Sequence, residues 1–214
     1  MLFRSILRTL ANGKSILAFG QKSGMAFGLD PDDMGAIVWE KRVGRGGPLG
    51  GVEWGAAADE TVLYLPVSDV TNPGAEGAGS ITALDLASGK MLWTVRSTQP
   101  DCAGKTAEPR SGLTFGIPGC SGALSAAATA ISGAVFAGSI DGHLRAYAAA
   151  DGKILWDVDT AKDYVTINEV AAKGGSLNAA GAAVVNGIVY VNSGYGIFNG
   201  MPGNALLAFS IDGK

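Results

Sequence analysis

Ala83-Leu84-Asp85-Leu86-Ala87-Ser88-Gly89-Lys90-Met91-Leu92-Trp93 is the stretch that decides the fold, because the chain repeats it. Earlier it reads Gly28-Leu29-Asp30-Pro31-Asp32-Asp33-Met34-Gly35-Ala36-Ile37-Val38-Trp39, and later Ala146-Tyr147-Ala148-Ala149-Ala150-Asp151-Gly152-Lys153-Ile154-Leu155-Trp156. A clipped fourth copy, Ala208-Phe209-Ser210-Ile211-Asp212-Gly213-Lys214, ends the chain. A unit recurring at several tens of residues is the mark of a repeat architecture, and here the spacing exceeds the roughly 40 to 45 residues of a minimal four-stranded blade. Extra loops must lie between the copies, and loops are where function sits.

Each copy reads as strand, tight turn, strand. Small and apolar residues form the first strand, an Asp or Ser caps the turn, and Gly supplies the left-handed conformation. The second strand delivers Trp, whose indole can cover the seam to the next sheet. Copy one carries Met34 as an extra residue before Gly35, and copy three has Ala148 where the capping Asp would be.

The rest of the chain agrees with an all-β reading. Gly is 33 of 214 residues, charged residues are 16% and aromatics 7%, a profile of short strands joined by turns that requires no amphipathic helix. Strand signals fall at Ser15 to Gly20 before the turn Gln21-Lys22-Ser23-Gly24, at Val62 to Leu65, at Val135 to Ala137 before Asp141-Gly142, and at Ile188 to Val191 after Asn186-Gly187. The reading is a partial β-propeller of about four blades: 6–46, 47–100 followed by an insertion at 99–121, 122–160 and 175–214.

Several function classes are set aside. A net charge of −3 offers no basic stripe for nucleic acid. No apolar run reaches the roughly 18 residues of a membrane span. One His and two Cys do not make a zinc site of ordinary spacing, and His143 reads as a turn residue. Neither a Walker loop nor a dinucleotide fingerprint is present. Arg4 and Arg8 interrupt what would be a secretory leader, and the first recognisable element, from Ile6, runs straight into a mid-blade strand. The expectation is a truncated reading frame without its N-terminal blades and targeting signal.

Beyond the repeat, four segments carry a resemblance: Gly50-Gly51-Val52-Glu53-Trp54-Gly55-Ala56-Ala57-Ala58-Asp59, Asp141-Gly142-His143-Leu144-Arg145-Ala146-Tyr147, Ala172-Lys173-Gly174-Gly175-Ser176, and Tyr190-Val191-Asn192-Ser193-Gly194-Tyr195-Gly196 leading to Gly200-Met201-Pro202-Gly203-Asn204. With them the chain resembles the C-terminal half of the propeller in quinoprotein alcohol dehydrogenases of the polyvinyl-alcohol-dehydrogenase-like kind. That resemblance implies a ring of about eight blades, where propellers span about four to eight. It implies pyrroloquinoline quinone (PQQ) and calcium (Ca2+) as cofactors, an alcohol substrate, a cytochrome c as electron acceptor, and a periplasmic or secreted location.

Such chemistry needs a flat floor, groups for the cofactor's carboxylates, a metal or donor at the quinone oxygen and a carboxylate base. Trp54 is the candidate floor or else a further packing tryptophan. Asp69 is the candidate metal ligand, or a cap for the turn at Asn72-Pro73-Gly74. Asp101 is the candidate catalytic base, or a solvated loop residue. Lys173 and Ser176, among close-approach glycines, are candidates for the cofactor's polar groups, Lys173 being otherwise an exposed lysine beside a flexible turn; Asn192 and Tyr195 are candidates as well, and can equally cap a tight turn. Cys102 and Cys120 bracket the insertion and would close it as a disulfide in the oxidising periplasm, or remain two thiols. The competing functional reading is a non-catalytic propeller that scaffolds or assembles envelope proteins.

Overall fold

The structure, a computed structural model, describes residues 5–72, 77–97, 102–105, 119–196, 198 and 200–211. Among them every regular element is a strand apart from a single helical-turn residue at Phe198. The first sheet is a meander of β1 (Ile6–Thr9), β2 (Ser15–Gly20), β3 (Met25–Asp30) and β4 (Ala36–Arg42). The second runs β5 (Ala57–Ala58), β6 (Val62–Val67), β7 (Ser80–Asp85) and β8 (Met91–Arg96), and the third β9 (Thr129–Ile131), β10 (Ala134–Gly138), β11 (His143–Ala148) and β12 (Ile154–Asp159). A separate hairpin of β13 (Asp163–Val165) and β14 (Ala171–Lys173) precedes a sheet of β15 (Ala183–Val185), β16 (Ile188–Ser193) and β17 (Ala205–Ser210). All strand pairings within these sheets are antiparallel.

The repeat motif builds the same joint in the first three sheets. Gly28, Ala83 and Ala146 stand opposite Trp39, Trp93 and Trp156, and at each pair the register slips. The residue skipped by the slip, Val38, Leu92 or Leu155, is turned toward solvent at 52%, 46% or 57% exposure. This is the geometry of a β-bulge, which re-aims the neighbouring side chain. The re-aimed tryptophan leaves its own sheet: Trp39 donates its indole N–H to Leu86 O (3.0 Å) and Trp93 to Ala149 O (3.0 Å), both in the turn of the following sheet.

That turn must present glycine. A Cβ on Gly89 would stand 2.6 Å from the Trp39 ring, and one on Gly152 2.7 Å from the Trp93 ring, too close for any side chain. Both glycines also hold left-handed φ values of 68° and 75°. Trp156 packs edge-on between Phe136 and Phe209, with ring centroids 6.4 and 5.1 Å away. The extra residue of copy one, Met34, is absorbed at φ 47° and is fully exposed.

Three core clusters therefore lie between sheets, not within them. Ile16, Ala18, Ala26 and Trp39 meet Leu63, Leu65, Leu84 and Leu86. Tyr64, Ile81 and Ala83 meet Val135, Ala137 and Tyr147. Phe136, Leu144 and Ala146 meet Val191 and the half-buried Val189, Leu207 and Phe209. A fourth cluster joins loops at one end of the sheets: Leu49, Val70, Ala123 and Ile140, with Phe198 against them. One candidate segment reaches this loop layer directly, through the Ser176 hydroxyl bonded to Ile140 O.

Candidate functional site

The 173–178 segment is the hub of the loop layer. Lys173 ends β14, and its backbone is gripped by Asn204, whose Oδ1 accepts the Lys173 N–H (2.8 Å) and whose N–H donates to Lys173 O (2.8 Å). Its side chain is exposed, and its ammonium forms no ion pair among the described residues. Gly175 donates its N–H to Ser193 Oγ (2.9 Å). The N–H groups of Gly194 and Tyr195 both reach Ser176 O (3.1 and 3.0 Å), which leaves the Tyr195 ring 43% exposed at the rim. Asn178, two residues on, accepts the indole N–H of Trp54 at 3.0 Å. Trp54, Lys173 and Tyr195 thus converge on one short segment, although they are far apart in sequence.

The other candidates sit differently. Ser176 is fully buried, its hydroxyl donating to Ile140 O (2.6 Å) and accepting the Met201 N–H (2.8 Å). Both roles of the hydroxyl are used and no surface is left for a cofactor, so Ser176 is a pin between loops. The neighbouring glycines are required by the same crowding. A Cβ on Gly174 would collide with Thr160 O, and one on Gly175 with Met201 O. Asn192 stands on the exposed outer face of β16 opposite Leu206, on the fourth sheet's end surface. Asp101 lies outside the described residues.

Asp69, read as a metal ligand, is a loop clamp. Its Oδ1 accepts the N–H of Gly46 (2.9 Å) and Gly51 (2.8 Å), and its Oδ2 that of Arg45 (2.8 Å). It is 8% exposed and holds φ 50°, an uncommon conformation for a non-glycine residue. A carboxylate whose two oxygens already accept three backbone N–H groups is committed to the loop, and the donors crowding it disfavour a cation there. Among the described residues, no three His, Cys, Asp or Glu side chains group closely enough to hold a metal ion.

Glu53, beside Trp54, went unselected in the sequence. Burial pushes its carboxyl above the usual range, an effect only partly offset by hydrogen bonds from Ser68 and Ser125 and by the Lys22 charge. Ser68 and Ser125 also pair with each other at 2.9 Å. An isolated charge inside an apolar, glycine-rich run was the available signal for it.

Cys102 and Cys120 are bridged. The short segment after Cys102 sends Lys105 into the seam between the second and third sheets, where its ammonium meets Asp159 Oδ2 at 3.0 Å and Asp141 O at 3.1 Å. His143 lies on β11, its Nδ1 2.7 Å from Asp157 Oδ1, inside that network of charges.

Known proteins resemble this chain in sequence and in fold. The PQQ_2 repeat model, described as outer membrane protein assembly factor BamB, matches residues 77–212, more than half of the chain. The chain belongs to this family. It is also similar to a polyvinylalcohol dehydrogenase of Sphingopyxis sp. (strain 113P3), 40% identical over 220 residues, covering 98% of this chain and 32% of that protein. The chain spans about a third of the length of the curated relatives it matches. Two solved structures share the fold. BamB from Moraxella catarrhalis superposes with a TM-score of 0.58 at 18% identity, over 100% of this chain and 51% of that one. The quinohemoprotein alcohol dehydrogenase ADHIIG from Pseudomonas putida HK5 gives 0.52 at 14%, over 92% and 33%. The repeat family therefore has the propeller architecture of quinoprotein type in this chain, with four sheets and one two-stranded hairpin among the described residues.

Proposed function

We propose that a protein containing this chain oxidises secondary or polymeric alcohols through bound PQQ, as its similarity to polyvinylalcohol dehydrogenases suggests. The observation that carries the reading is the tethered indole. Trp54 is held by its edge to Asn178, is only half buried, and shares the 173–178 hub with an exposed lysine and the rim Tyr195. A ring fixed through its N–H can offer a face for stacking without losing its orientation.

When bound, the quinone supplies a two-electron acceptor for the alcohol's C–H and O–H hydrogens. Trp54 forms the floor, and Lys173 and Tyr195 offer a cation and a hydroxyl to the cofactor's anionic edge. Asp101 takes the hydroxyl proton, a role that demands hydrogen-bond reach to the substrate oxygen. Asn192 and Ser176 drop out of this set. Calcium belongs to the reading only with ligands other than Asp69. Electrons leave to a cytochrome c, and the location is periplasmic or secreted, where the Cys102–Cys120 bridge is stable.

A non-catalytic assembly propeller is the second reading, favoured by the description of the matching family model. A longer protein containing the chain separates the two. Given PQQ, Ca2+ and an alcohol, the dehydrogenase bleaches an artificial electron acceptor, and Trp54→Ala removes PQQ binding while leaving the melting temperature nearly unchanged. A protein that binds no PQQ under these conditions is the scaffold.

A further inference from the structure

The connection between the third and fourth sheets carries an element that the repeat does not require. The hairpin of β13 and β14 belongs to neither sheet, and its base is fixed to the body of the molecule. Lys162 O accepts the Gly174 N–H (2.9 Å), the Tyr164 hydroxyl donates to Thr160 O (3.2 Å), and Asn204 holds the backbone of Lys173. The far end is closed on itself. The Thr166 hydroxyl donates to Val170 O (2.5 Å) and the Glu169 N–H to Thr166 O (3.2 Å), with Glu169 at φ 61°.

This ordered tip displays apolar side chains to water. Val165 and Ile167 are fully exposed, and Val170 is 58% exposed. Alternation along the strands leaves Tyr164 and Ala172 half-buried and puts Val165 and Ala171 on the outer face, where Asp163 stands opposite Lys173. Lys173 shares that face, two residues or about 7 Å along the strand from the Val165–Ala171 pair. The hairpin is thus a ridge, apolar at its far end and running back to the exposed lysine of the hub. It carries no net charge, since Lys162 and Lys173 are matched by Asp163 and Glu169.

We propose that this ridge docks a polymeric secondary alcohol, an uncharged chain in which methylene groups and hydroxyl-bearing carbons alternate, and leads it toward Lys173. The proposal rests on the alcohol-oxidation reading and adds to it the part of the protein that distinguishes a polymer from a small alcohol. A neutral ridge offers nothing to a polyanion or a charged lipid surface. Three apolar side chains are also far short of the roughly 800 Å² that each partner buries in a stable protein interface. A polymer needs less at any one place, because one docked repeat keeps the next ones close. Its methylenes leave water on the valines and the isoleucine.

Native gel electrophoresis of the 214-residue chain, with and without dissolved poly(vinyl alcohol), tests the ridge in the absence of any cofactor. The polymer should retard the parent, and an equal mass of dextran should not. Ile167→Ser combined with Val170→Ser, both at exposed positions, should weaken the interaction about tenfold. Ile37→Ser, at an exposed apolar position on β4, should leave it as in the parent. In a longer PQQ-loaded protein the double variant should raise KM for the polymer about tenfold while KM for isopropanol stays as in the parent. Turnover of neither alcohol defeats the oxidation reading, whereas the gels still decide the ridge. No retardation of the parent, the same retardation in parent and double variant, or an equal response to dextran overturns the proposal. So does a double variant whose only change is a lower mass in light scattering, which makes the ridge a contact between copies.

Discussion

Asp69 shows how one residue can hold a loop. Its three backbone partners lie between 18 and 24 positions upstream, so removing the carboxylate leaves three N–H groups of the 45–51 loop unpaired, two of them buried. Asp69→Ala should cost about 3 kcal/mol or more in metal-free buffer. Denaturant unfolding with and without chelator measures it. A cost that appears only when calcium is present would restore the metal role. Glu53 makes the opposite kind of contribution. Because its folded pKa is raised, its contribution to stability is complete below the unfolded value near 4.5 and is lost as pH rises through the folded value. Glu53→Gln should therefore match the parent near pH 4 and become the more stable of the two toward neutrality. Unfolding midpoints across that range test this, and a difference independent of pH would refute it.

At the scale of elements, the bulge, the tryptophan and the next turn's glycine form one joint. Trp93→Ala should cost about 3 kcal/mol, the low end for a core aromatic, because the ring is only partly buried. Gly152→Ala adds a methyl against the same ring at a left-handed φ of 75°. If the joint is shared, the two losses are not additive. In the Trp93→Ala background the clash with the ring disappears, leaving the contact with Val95 and the backbone conformation, and Gly152→Ala should cost clearly less than it does in the parent. A double-mutant cycle with no coupling would separate the two residues. Much of this joint could be read from the sequence, since alternating strands, turn glycines and recurring tryptophans are local signals. What the glycine meets across the seam was not readable. The hairpin β13–β14 also escaped notice, because its strands are three residues long and its turn lacks an Asn-Gly or Asp-Gly pair. For the site, Trp54, Lys173 and Tyr195 were recognisable as polar or aromatic breaks among glycines. The burial of Ser176 was not, because it depends on Ile140 and Met201, far away in sequence.

For the whole molecule, the ends of the row of sheets matter most. The first sheet's outward surface carries half-buried Leu17, Phe19, Phe27 and Leu29, with the two phenylalanines stacked at 5.6 Å. The fourth sheet's outward surface carries Tyr190 and Leu206, at 37% and 68% exposure. These occupy the register positions of Phe136 and Leu144, which the fourth sheet covers on the third. The exposed apolar residues on the fourth sheet's surface favour association. The 214-residue chain should show a mass that rises with concentration in light scattering, and Leu206→Lys should bring it back to the monomer. A mass that stays monomeric at all concentrations would contradict this.

The tryptophan of one sheet closes on the turn of the next, so the unit that is copied and the unit that is stable are offset by half a seam. A gene segment one sheet long carries half of the joint before it and half of the joint after it. Inserted anywhere in the row, it meets compatible halves on both sides. Growth or loss of blades by tandem duplication or deletion therefore requires no new interface to be invented, only a change in the angle at which the row bends.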